Sequence, residues 1–358
     1  MKEMLSIVIP TYKEGENIGH LVEGIHQALT GTDYEIILVD DNSRDGTVEL
    51  VADLAKRYPV KLFVREKEKG LATAVIHGFK QAQGSIIGVM DADLQHPPET
   101  LPRLLKALEG GADIAFASRY IPGGGCPNWG LSRKIISRVA VMISHVLLPT
   151  SRKVKDMLTG YFMFRRENMN LEKLNPIGYK ISLEVLLTGN FKHVVEVPFI
   201  FEERSAGQSK LNARQQIDYL KHVFSLMRRT GELALFLKFV LVGLSGVIVN
   251  EGIYWLLTRF TNLAAYDYWA VVIGIELSIV TNFILNDTFT FAKQRSGKSF
   301  LGRLLKFNLI CMVGAGIQWG LFMLFTRVFG VYDLLSNFIG IVIAFLWNYL
   351  VNRNWTWK

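Results

Sequence analysis

The chain has few cysteines and lacks the glycine-rich loops that commonly cradle phosphates. Its two cysteines, Cys126 and Cys311, are too few for a disulfide framework or a cysteine-based zinc site. No G-x-G-x-x-G follows a predicted strand and no G-x-x-x-x-G-K-[ST] occurs, which excludes a Rossmann dinucleotide loop and a P-loop. No nucleic-acid-binding motif accompanies the net charge of +8, so DNA and RNA are not expected partners. The six-residue apolar run near the amino terminus predicts a strand and is too short for a signal-peptide core.

The last third of the chain has little charge. Residues 233–358 contain 10 Lys and Arg and 5 Asp and Glu, against 30 and 27 before them. Four apolar segments here approach the ~20 residues that cross a bilayer, with Trp and Tyr near their ends; they are 233–257, 268–291, 304–328 and 334–352. A soluble helical bundle is the less favoured interpretation. Lys and Arg concentrate before the first segment, between the second and third, and after the fourth, which predicts a multi-pass cell-membrane protein with both termini cytoplasmic.

This last third also repeats itself. Residues 238–259 align with 306–327, and residues 273–291 align with 339–357. The repeat predicts two tandem helical hairpins, an arrangement found in transporters but equally expected of a duplicated anchor. The carboxylates Glu251 and Glu276 fall inside predicted spans, so a transport role is as well supported as a packing role.

The first two thirds alternate between strand-like apolar runs and amphipathic helical ones. The sequence predicts strands at 4–10, 34–41, 60–66, 85–93 and 113–120, and helices at 17–30, 47–58, 71–83 and 98–110. Such alternation indicates a mostly parallel α/β sheet with helices on both faces, in which ligands bind beyond the carboxyl ends of the strands.

Two carboxylates one residue apart follow the fourth predicted strand. Asp91 and Asp93 end the run "GVMDADLQ", and Gln95 adds another oxygen donor two residues later. An isolated Asp-x-Asp is often only a turn. After a buried strand, however, three oxygen donors favour a cofactor site for Mg²⁺ or Mn²⁺, which are commonly shared between carboxylates and substrate phosphates.

Four motifs, in this order, resemble a known family: "SIVIPTYKEGENI", "VDDNSRDGT", "KGLATAVIHGFKQAQG" and "MDADLQHPPE". They are similar to family 2 glycosyltransferases of the GT-A fold, above all to dolichyl-phosphate mannose synthases and related polyprenyl-phosphate glycosyltransferases. The last third resembles the four-span GtrA-like domain. The resemblance implies a cytoplasmic GT-A (nucleotide-diphospho-sugar transferase) catalytic domain at 1–208, an amphipathic interfacial helix and linker at 209–232, and a GtrA-like all-α domain with four transmembrane helices at 233–358.

The resemblance also implies roles for individual residues. Asp91, Asp93 and Gln95 are expected to hold the metal, and the residues expected to bind the nucleotide are Pro10, Tyr12, Glu14, Val39, Asp41 and Ala92. For Tyr12 and Glu14, a turn leading into the first helix fits the sequence equally well. Asp45 is expected to be a turn and N-cap residue and not a catalyst.

Basic residues of the second half suit a lipid phosphate, because Arg binds phosphate in bidentate fashion. Arg119, Arg133 and Arg204 are expected to bind the acceptor phosphate, with Ser137 in support, while Lys180 and Lys210 are expected on the donor side. Residues 130–149 and 210–229 predict amphipathic helices in the membrane interface, with packing on the sheet as the alternative. In the second helix Ile217, Leu220, Val223, Phe224 and Met227 share a face, and the glycine-rich loop 121–130 is a candidate lid.

The expected reaction is an inverting displacement at the anomeric carbon by the phosphate of a dolichol or other polyprenol. A phosphate monoester has a second pKa near ~6, so it is already ionised and needs no general base. Asp91, Asp93 and Arg119 are therefore the expected catalytic residues.

GDP-mannose is the favoured donor, and UDP-glucose stays open as the alternative donor. A glycan synthase would need a Q-x-x-R-W motif, which does not occur. A haloacid-dehalogenase phosphatase would need Gly-Thr directly after Asp-x-Asp, and this chain has Leu-Gln there. A lipid-linked-sugar transporter with a regulatory domain is the alternative from another class.

Overall fold

The computed structural model describes residues 3–202, 213–261, 267–295, 297 and 299–357. The chain divides into two compact units, Met1–Thr230 and Gly231–Lys358. The predicted boundary between residues 208 and 209 lies outside the described residues.

The first unit is built on one mixed sheet. Its described strands are Leu5–Thr11 (β1), Tyr34–Asp40 (β2), Val60–Val64 (β3), Ile86–Val89 (β4), Ile114–Ser118 (β5), Phe162–Arg165 (β6) and Val194–Pro198 (β7). Their order in the sheet is β3-β2-β1-β4-β6-β5-β7. β1 pairs in parallel with β2 and β4, and β2 pairs in parallel with β3. The predicted mostly parallel α/β sheet is thus confirmed, and the continuously buried runs of β1 and β2 are typical of strands covered on both faces.

The first unit also contains seven described α-helices. They are Gly15–Ala28 (α1), Thr47–Leu54 (α2), Leu71–Gln81 (α3), Leu101–Glu109 (α4), Leu131–Leu147 (α5), Ile181–Thr188 (α6) and Ala213–Arg229 (α7). The contact of α3 with β1 depends on a glycine. A Cβ atom at Gly78 would lie 2.3 Å from Cγ1 of Val8, so a larger residue would push α3 off the sheet.

Two strands, β6 and β7, were not predicted. β6 runs antiparallel to both β4 and β5, and β7 pairs in parallel with β5. In the β4–β6 register Val89 lies opposite Phe162. This pairing brings the chain just before β6 next to the residues that follow β4, where the predicted metal ligands stand.

The second unit consists of long apolar helices. They are Glu232–Phe260 (α8), Asp267–Leu285 (α9), Phe300–Met323 (α10) and Asp333–Val351 (α11). With the π-helical turns that continue three of them, the described residues contain four helices long and apolar enough to span a bilayer, with mean hydropathy from 1.8 to 2.2. The four predicted spans are confirmed as apolar helices of membrane-spanning length.

The two helical hairpins of this unit repeat the same contacts. Gly246 of α8 lies against Asn282 of α9, where an added Cβ would come within 2.3 Å of the amide, and Gly314 of α10 lies against Asn348 of α11, where it would come within 2.6 Å. The two glycines are 68 residues apart and the two asparagines 66, the offsets of the sequence repeat. Small residues of this kind let apolar helices approach closely.

Helices α5 and α7 of the first unit pack together and leave apolar side chains exposed. The hydroxyl groups of Ser144 and Tyr219 join them at 2.8 Å. Large apolar side chains that remain exposed are Leu131, Ile135, Ile136, Val139 and Met142 on α5, and Ile217, Leu220 and Phe224 on α7. The predicted shared face of α7 is divided, because Val223 and Met227 are buried in the protein. The packing alternative therefore holds for part of α7, and an interfacial role for its exposed side chains stays a prediction.

Candidate active site

The predicted site residues follow strands that end at one edge of the sheet. β2, β1 and β4 are parallel neighbours, and Asp41, Tyr12 and Asp91 come shortly after their carboxyl ends. The hydrogen bond from the Asp41 amide to the Thr11 carbonyl, 3.1 Å, joins two of these strand ends directly. The sheet therefore gathers carboxylate and aromatic side chains on the rim where parallel α/β sheets bind ligands.

The Asp-x-Asp turn holds one exposed and one buried carboxylate. The Asp91 side chain is 33% exposed, whereas Asp93 is buried and accepts a hydrogen bond from the Gln95 amide at 3.2 Å. The side-chain nitrogen of Gln95 donates to the Glu202 carbonyl at 3.2 Å, which fixes the orientation of its amide group. Leu94, between them, has a left-handed φ of 61°, so the turn is tight.

His96 holds this turn through a hydrogen bond to its backbone. Its Nδ1 atom accepts a hydrogen bond from the backbone N–H of Asp91 at 3.0 Å, and its ring stacks on Tyr161 with centroids 4.9 Å apart. Burial lowers the pKa of His96, which keeps the ring neutral and able to accept. A Cβ atom at Gly160 would come within 3.2 Å of the Asp91 carboxylate, so the absence of a side chain there leaves room around Asp91.

The Asp91, Asp93 and Gln95 oxygens fit a hard divalent cation that also takes ligands from a substrate. Among the described residues, no group of three or more His, Cys, Asp or Glu side chains is placed to hold a metal ion by itself. Mg²⁺ and Mn²⁺ commonly bind through one or two carboxylates and complete their coordination with water and phosphate oxygens. The space left by Gly160 beside the exposed Asp91 is consistent with such a shared site.

Tyr12 presents an exposed aromatic ring beside two lysines. The ring is 37% exposed, and the ammonium groups of Lys13 and Lys69 lie 5.6 and 5.8 Å from its centroid. Glu14 accepts a hydrogen bond from the Asn17 side chain at 2.8 Å, as the helix-start interpretation expects. A flat exposed ring with adjacent cations suits a base and its phosphates. The nucleotide roles of Tyr12 and Glu14 stay predictions.

Asp45 is a turn residue as expected, but the N-cap position of α2 is Gly46 and Asp45 precedes it. Its carboxylate accepts hydrogen bonds from the Thr47 amide at 3.3 Å and from the Thr47 hydroxyl at 2.6 Å, at the start of α2. It also accepts from the Gly15 amide at 3.1 Å, at the start of α1. These bonds lower the pKa of Asp45, so the ionised carboxylate joins two helix starts.

Asp41 is engaged by protein groups. Its carboxylate accepts from Arg65, with Nε at 2.8 Å, and from the Gly70 amide at 2.7 Å. Arg65 in turn donates to the Gly70 carbonyl at 3.0 Å, so Asp41 ties the 65–70 loop to the end of β2. The Val39 side chain is fully buried, so a contact from Val39 to a ligand would involve its main chain. Pro10 is half-buried and Ala92 is buried at the same rim, and the binding roles of all four stay predictions.

Arg119 forms a buried ion pair that the sequence did not predict. Its Nε and Nη2 atoms donate to the two Asp156 oxygens at 2.7 Å each, and its backbone N–H donates to Asp156 at 2.9 Å. The Asp156 charge raises the pKa of Arg119 against the opposing effect of burial. The Arg119 guanidinium lies 5.0 Å from the Trp129 ring centre, on which Arg133 also stacks at 4.1 Å.

Ser137 joins this arginine pair through Tyr120. The Tyr120 hydroxyl donates to Ser137 Oγ at 2.7 Å, and the Arg119 guanidinium lies 5.4 Å from the Tyr120 ring centre. Arg119, Arg133 and Ser137, predicted to share the acceptor phosphate, are thus brought into one neighbourhood with Trp129. Arg204 and Lys210 lie outside the described residues.

Lys180 is electrostatically linked to both groups of site residues. Its Nζ donates to the Leu158 carbonyl at 2.9 Å. Burial lowers the pKa of Lys180 to about 8, and the charges that act on it include Arg119, Arg133, Asp156 and Asp91. The lysine therefore stands within reach of the electrostatic influence of the carboxylate turn and of the arginine pair.

The glycine-rich loop predicted to be a lid is hydrogen-bonded to the chain after β7. The Gly125 amide donates to the Phe199 carbonyl at 3.0 Å, and the Phe201 amide donates to the Gly125 carbonyl at 2.8 Å. Its movement stays a prediction.

Sequence reasoning missed two residues of this site, Asp156 and His96. Asp156 stands in the apolar run "VKDMLTGYFMF", where a single carboxylate among residues destined for burial signals a buried partner. His96 belongs to the motif that carries the metal ligands but was given no role. Neither contact could be located without the fold, since Asp156 is 37 residues from Arg119.

Comparison with known proteins supplies two family matches. Residues 6–171 match the model of glycosyl transferase family 2, and residues 238–357 match that of the GtrA/DPMS transmembrane domain. The chain is 46% identical over 353 residues, 99% of each protein, to the dolichol-phosphate mannosyltransferase of Pyrococcus furiosus. It is 38% identical over 216 residues to the polyprenol monophosphomannose synthase of Mycolicibacterium smegmatis, covering 58% of this chain and 80% of that protein.

A solved structure shares the fold of the first unit. Glucosyl-3-phosphoglycerate synthase from Mycobacterium tuberculosis, crystallised with Mn²⁺, UDP-glucose and phosphoglyceric acid, matches with a TM-score of 0.51 at 17% identity. The match covers 64% of this chain and 80% of that one. Together with the family 2 match it confirms the predicted GT-A type of α/β fold.

Proposed function

The chain belongs to the family of dolichol-phosphate mannosyltransferases, family 2 glycosyltransferases with a GtrA/DPMS transmembrane domain, and on that premise we propose that it transfers mannose from GDP-mannose to the phosphate of a dolichol or other polyprenol. The enzyme is a glycosyltransferase and a membrane protein. The observation that carries the proposal is the Asp91–Asp93 turn at the carboxyl-terminal edge of the parallel strands, accompanied by the Arg119 and Arg133 guanidinium groups at the Trp129 ring.

The carboxylate turn is assigned to the leaving nucleotide. Asp91 and Asp93, with the Gln95 amide oxygen, would hold the divalent cation, and His96 fixes the backbone of Asp91. Bound there, Mg²⁺ or Mn²⁺ would supply positive charge opposite the departing diphosphate. Tyr12 contributes a stacking surface for the base, and Lys13 and Lys69 beside its ring contribute positive charge for the phosphates.

The arginine pair is assigned to the acceptor. Arg119 is held by Asp156 through Nε and Nη2, and its Nη1 is assigned to the lipid phosphate. Arg133 stacks on the Trp129 ring, and Ser137 supplies a hydroxyl. Stacked, pre-positioned guanidinium groups orient an anion with little loss of side-chain freedom.

No side chain is assigned the role of general base. The acceptor is a phosphate monoester whose second pKa is about 6, so its oxygen is already an anion at neutral pH. The residues of the site therefore need to position this oxygen and shield it from water, and proton removal is unnecessary. A single displacement of this kind inverts the anomeric carbon.

The membrane arrangement follows from the same proposal. Polyprenyl phosphate is embedded in a bilayer, and the exposed apolar side chains of α5 and α7 suit the interfacial zone at its surface. The distribution of Lys and Arg around the four spans supports a cytoplasmic location for the first unit and both termini. The two relatives, a mannosyltransferase and a monophosphomannose synthase, favour mannose over glucose as the sugar.

Transfer to lipid is the test. Purified protein in detergent is mixed with polyprenyl phosphate, Mn²⁺ and either GDP-mannose or UDP-glucose labelled in the sugar, and label is counted in the organic phase. The proposal predicts label from GDP-mannose, and none from UDP-glucose. Label from UDP-glucose alone would replace the sugar assignment. No transfer from either, with movement of a lipid-linked sugar across vesicles, would favour the transporter.

A further inference from the structure

Helix α7 carries a row of polar side chains on the side that contacts the rest of the first unit. Asp218, His222 and Arg229 are spaced four and seven residues apart, which places them along one helix face. Each contacts the chain between Lys173 and Glu184. This segment includes Lys180, the lysine expected on the donor side, whose Nζ donates to the Leu158 carbonyl at 2.9 Å.

The first contact of this row is with the turn before α6. The Ile177 amide donates a hydrogen bond to Nδ1 of His222 at 2.9 Å, so the proton of the neutral ring resides on Nε2. Gly178 follows with a left-handed φ of 80°, and an added Cβ would lie 3.3 Å from the Asp218 Cβ. The backbone two and three residues before Lys180 is therefore seated on α7.

The second contact is made by Glu184, which is fully buried in α6. Its Oε1 accepts from the Asn175 amide at 2.9 Å and from Nη1 of Arg229 at 2.6 Å. Its Oε2 lies 3.5 Å from Nε2 of His222, and both atoms are buried without a hydrogen-bond partner among the described residues. One carboxylate thus links the start of the 175–180 segment to His222 and Arg229 of the α7 row.

These contacts fix one part of a short segment, and a separate contact holds its last residue. Between Asn175 and Lys180 the chain is held by Glu184 and His222, and Lys180 itself is held at Leu158. Because a buried carboxylate and a buried histidine are costly for packing alone, their placement on this short segment indicates a positional function.

We propose that His222 of α7 and Glu184 of α6 are positioning residues that set Lys180 in the active site. The inference deepens the proposed function and depends on it only where transfer is measured. Helix α7 also exposes the apolar side chains of Ile217, Leu220 and Phe224. The same helix therefore carries an exposed apolar surface and the contacts that position Lys180.

Hydrogen exchange and kinetics test the proposal with substitutions at position 222. His222→Leu removes the acceptor for the Ile177 amide, and His222→Asn restores an acceptor close to the place of Nδ1. Exchange within 174–180 should rise at least tenfold in the leucine variant and return towards the unsubstituted rate in the asparagine variant. The leucine variant should lose about ten- to a hundredfold in kcat/KM for the nucleotide sugar, the scale expected of a misplaced group, and asparagine should recover most of it.

A double-mutant cycle with Lys180→Met separates positioning from general destabilisation. If His222 acts through Lys180, the leucine substitution should cost less than about threefold when Lys180 is already absent. Glu184→Gln, which keeps an acceptor but removes the charge, gives the same cycle if the leucine variant does not fold. Ser144→Ala is the matched control, because it removes a hydroxyl of α5 that contacts α7 through Tyr219 and changes no side chain of α6 or α7.

The outcomes separate the two proposals. Equal losses in the presence and absence of Lys180, or unchanged exchange within 174–180, would overturn the positioning role. Absence of transfer by the unsubstituted chain would overturn the proposed function instead, and exchange within 174–180 would still decide whether Glu184 and His222 fix that segment.

Discussion

The Arg119–Asp156 pair offers the clearest separation of a structural role from a catalytic one. Asp156 is fully buried and accepts three hydrogen bonds from Arg119, one from its backbone and two from its guanidinium. Asp156→Asn keeps the shape and removes the charge, so it leaves Arg119 buried and uncompensated. Loss of one partner of a buried ion pair costs about 3–5 kcal/mol.

The thermal consequence is measurable. For a unit of 150–250 residues, 1 kcal/mol corresponds to about 2–4 °C, so the unfolding temperature of the first unit should fall by about 6–20 °C. Arg119→Met should cost a similar amount, because it leaves Asp156 as an unpaired buried carboxylate. The double variant Arg119→Met with Asp156→Leu should be more stable than either single variant, since apolar replacement of a whole buried pair is often neutral or stabilising.

The assay combines thermal unfolding in detergent with transfer to polyprenyl phosphate. The transition of the first unit is the one that nucleotide sugar raises, because a ligand stabilises the unit that binds it. The double variant should recover stability and remain inactive, because the guanidinium assigned to the acceptor is gone. A stable double variant that transfers sugar at the normal rate would refute the assignment of Arg119 to the acceptor phosphate.

Three further changes test other parts of the account. Lys180 carries its charge only below its pKa of about 8, so kcat/KM should fall as pH rises through about 8. Lys180→Arg should move that fall to higher pH. An unchanged pH profile would contradict the role of the ammonium group. Asp93→Asn should abolish Mn²⁺-dependent transfer. Asp53→Asn, at an exposed helix position, should leave Mn²⁺-dependent transfer unchanged. Gly246→Val should destabilise the α8–α9 hairpin by about 1–3 kcal/mol through overpacking, measured by unfolding in detergent, while Gly252→Val, which meets open space, should have little effect.

The parallel part of the fold was predictable because its strands are buried on both faces. β1 and β2 read as continuous apolar runs separated by amphipathic helices, and that pattern has few other solutions. β6 was not predictable, since its four residues, "FMFR", neither alternate nor end at a turn signal. Its antiparallel insertion beside β4 depends on pairing across more than 70 residues of chain.

The candidate site also has one part that the sequence predicts and one part that depends on the fold. Asp91, Asp93 and Gln95 could be proposed from their spacing after a buried strand, because the ligand preference of a divalent cation is a local property. The partners that hold the site in place, Asp156 for Arg119 and His96 for Asp91, are fixed by tertiary contacts. A sequence shows that a buried charge needs a partner, but the fold decides which residue supplies it.

The central claim is that an already ionised lipid phosphate displaces the nucleotide in a single step. The most direct measurement is the structure of the product formed from GDP-mannose labelled with ¹³C at the anomeric carbon, polyprenyl phosphate and Mn²⁺. The account predicts mannosyl phosphoryl polyprenol in the β configuration, opposite to that of the donor, as read from the one-bond carbon–hydrogen coupling. A product that retains the α configuration, or free mannose without any lipid-linked product, would contradict it.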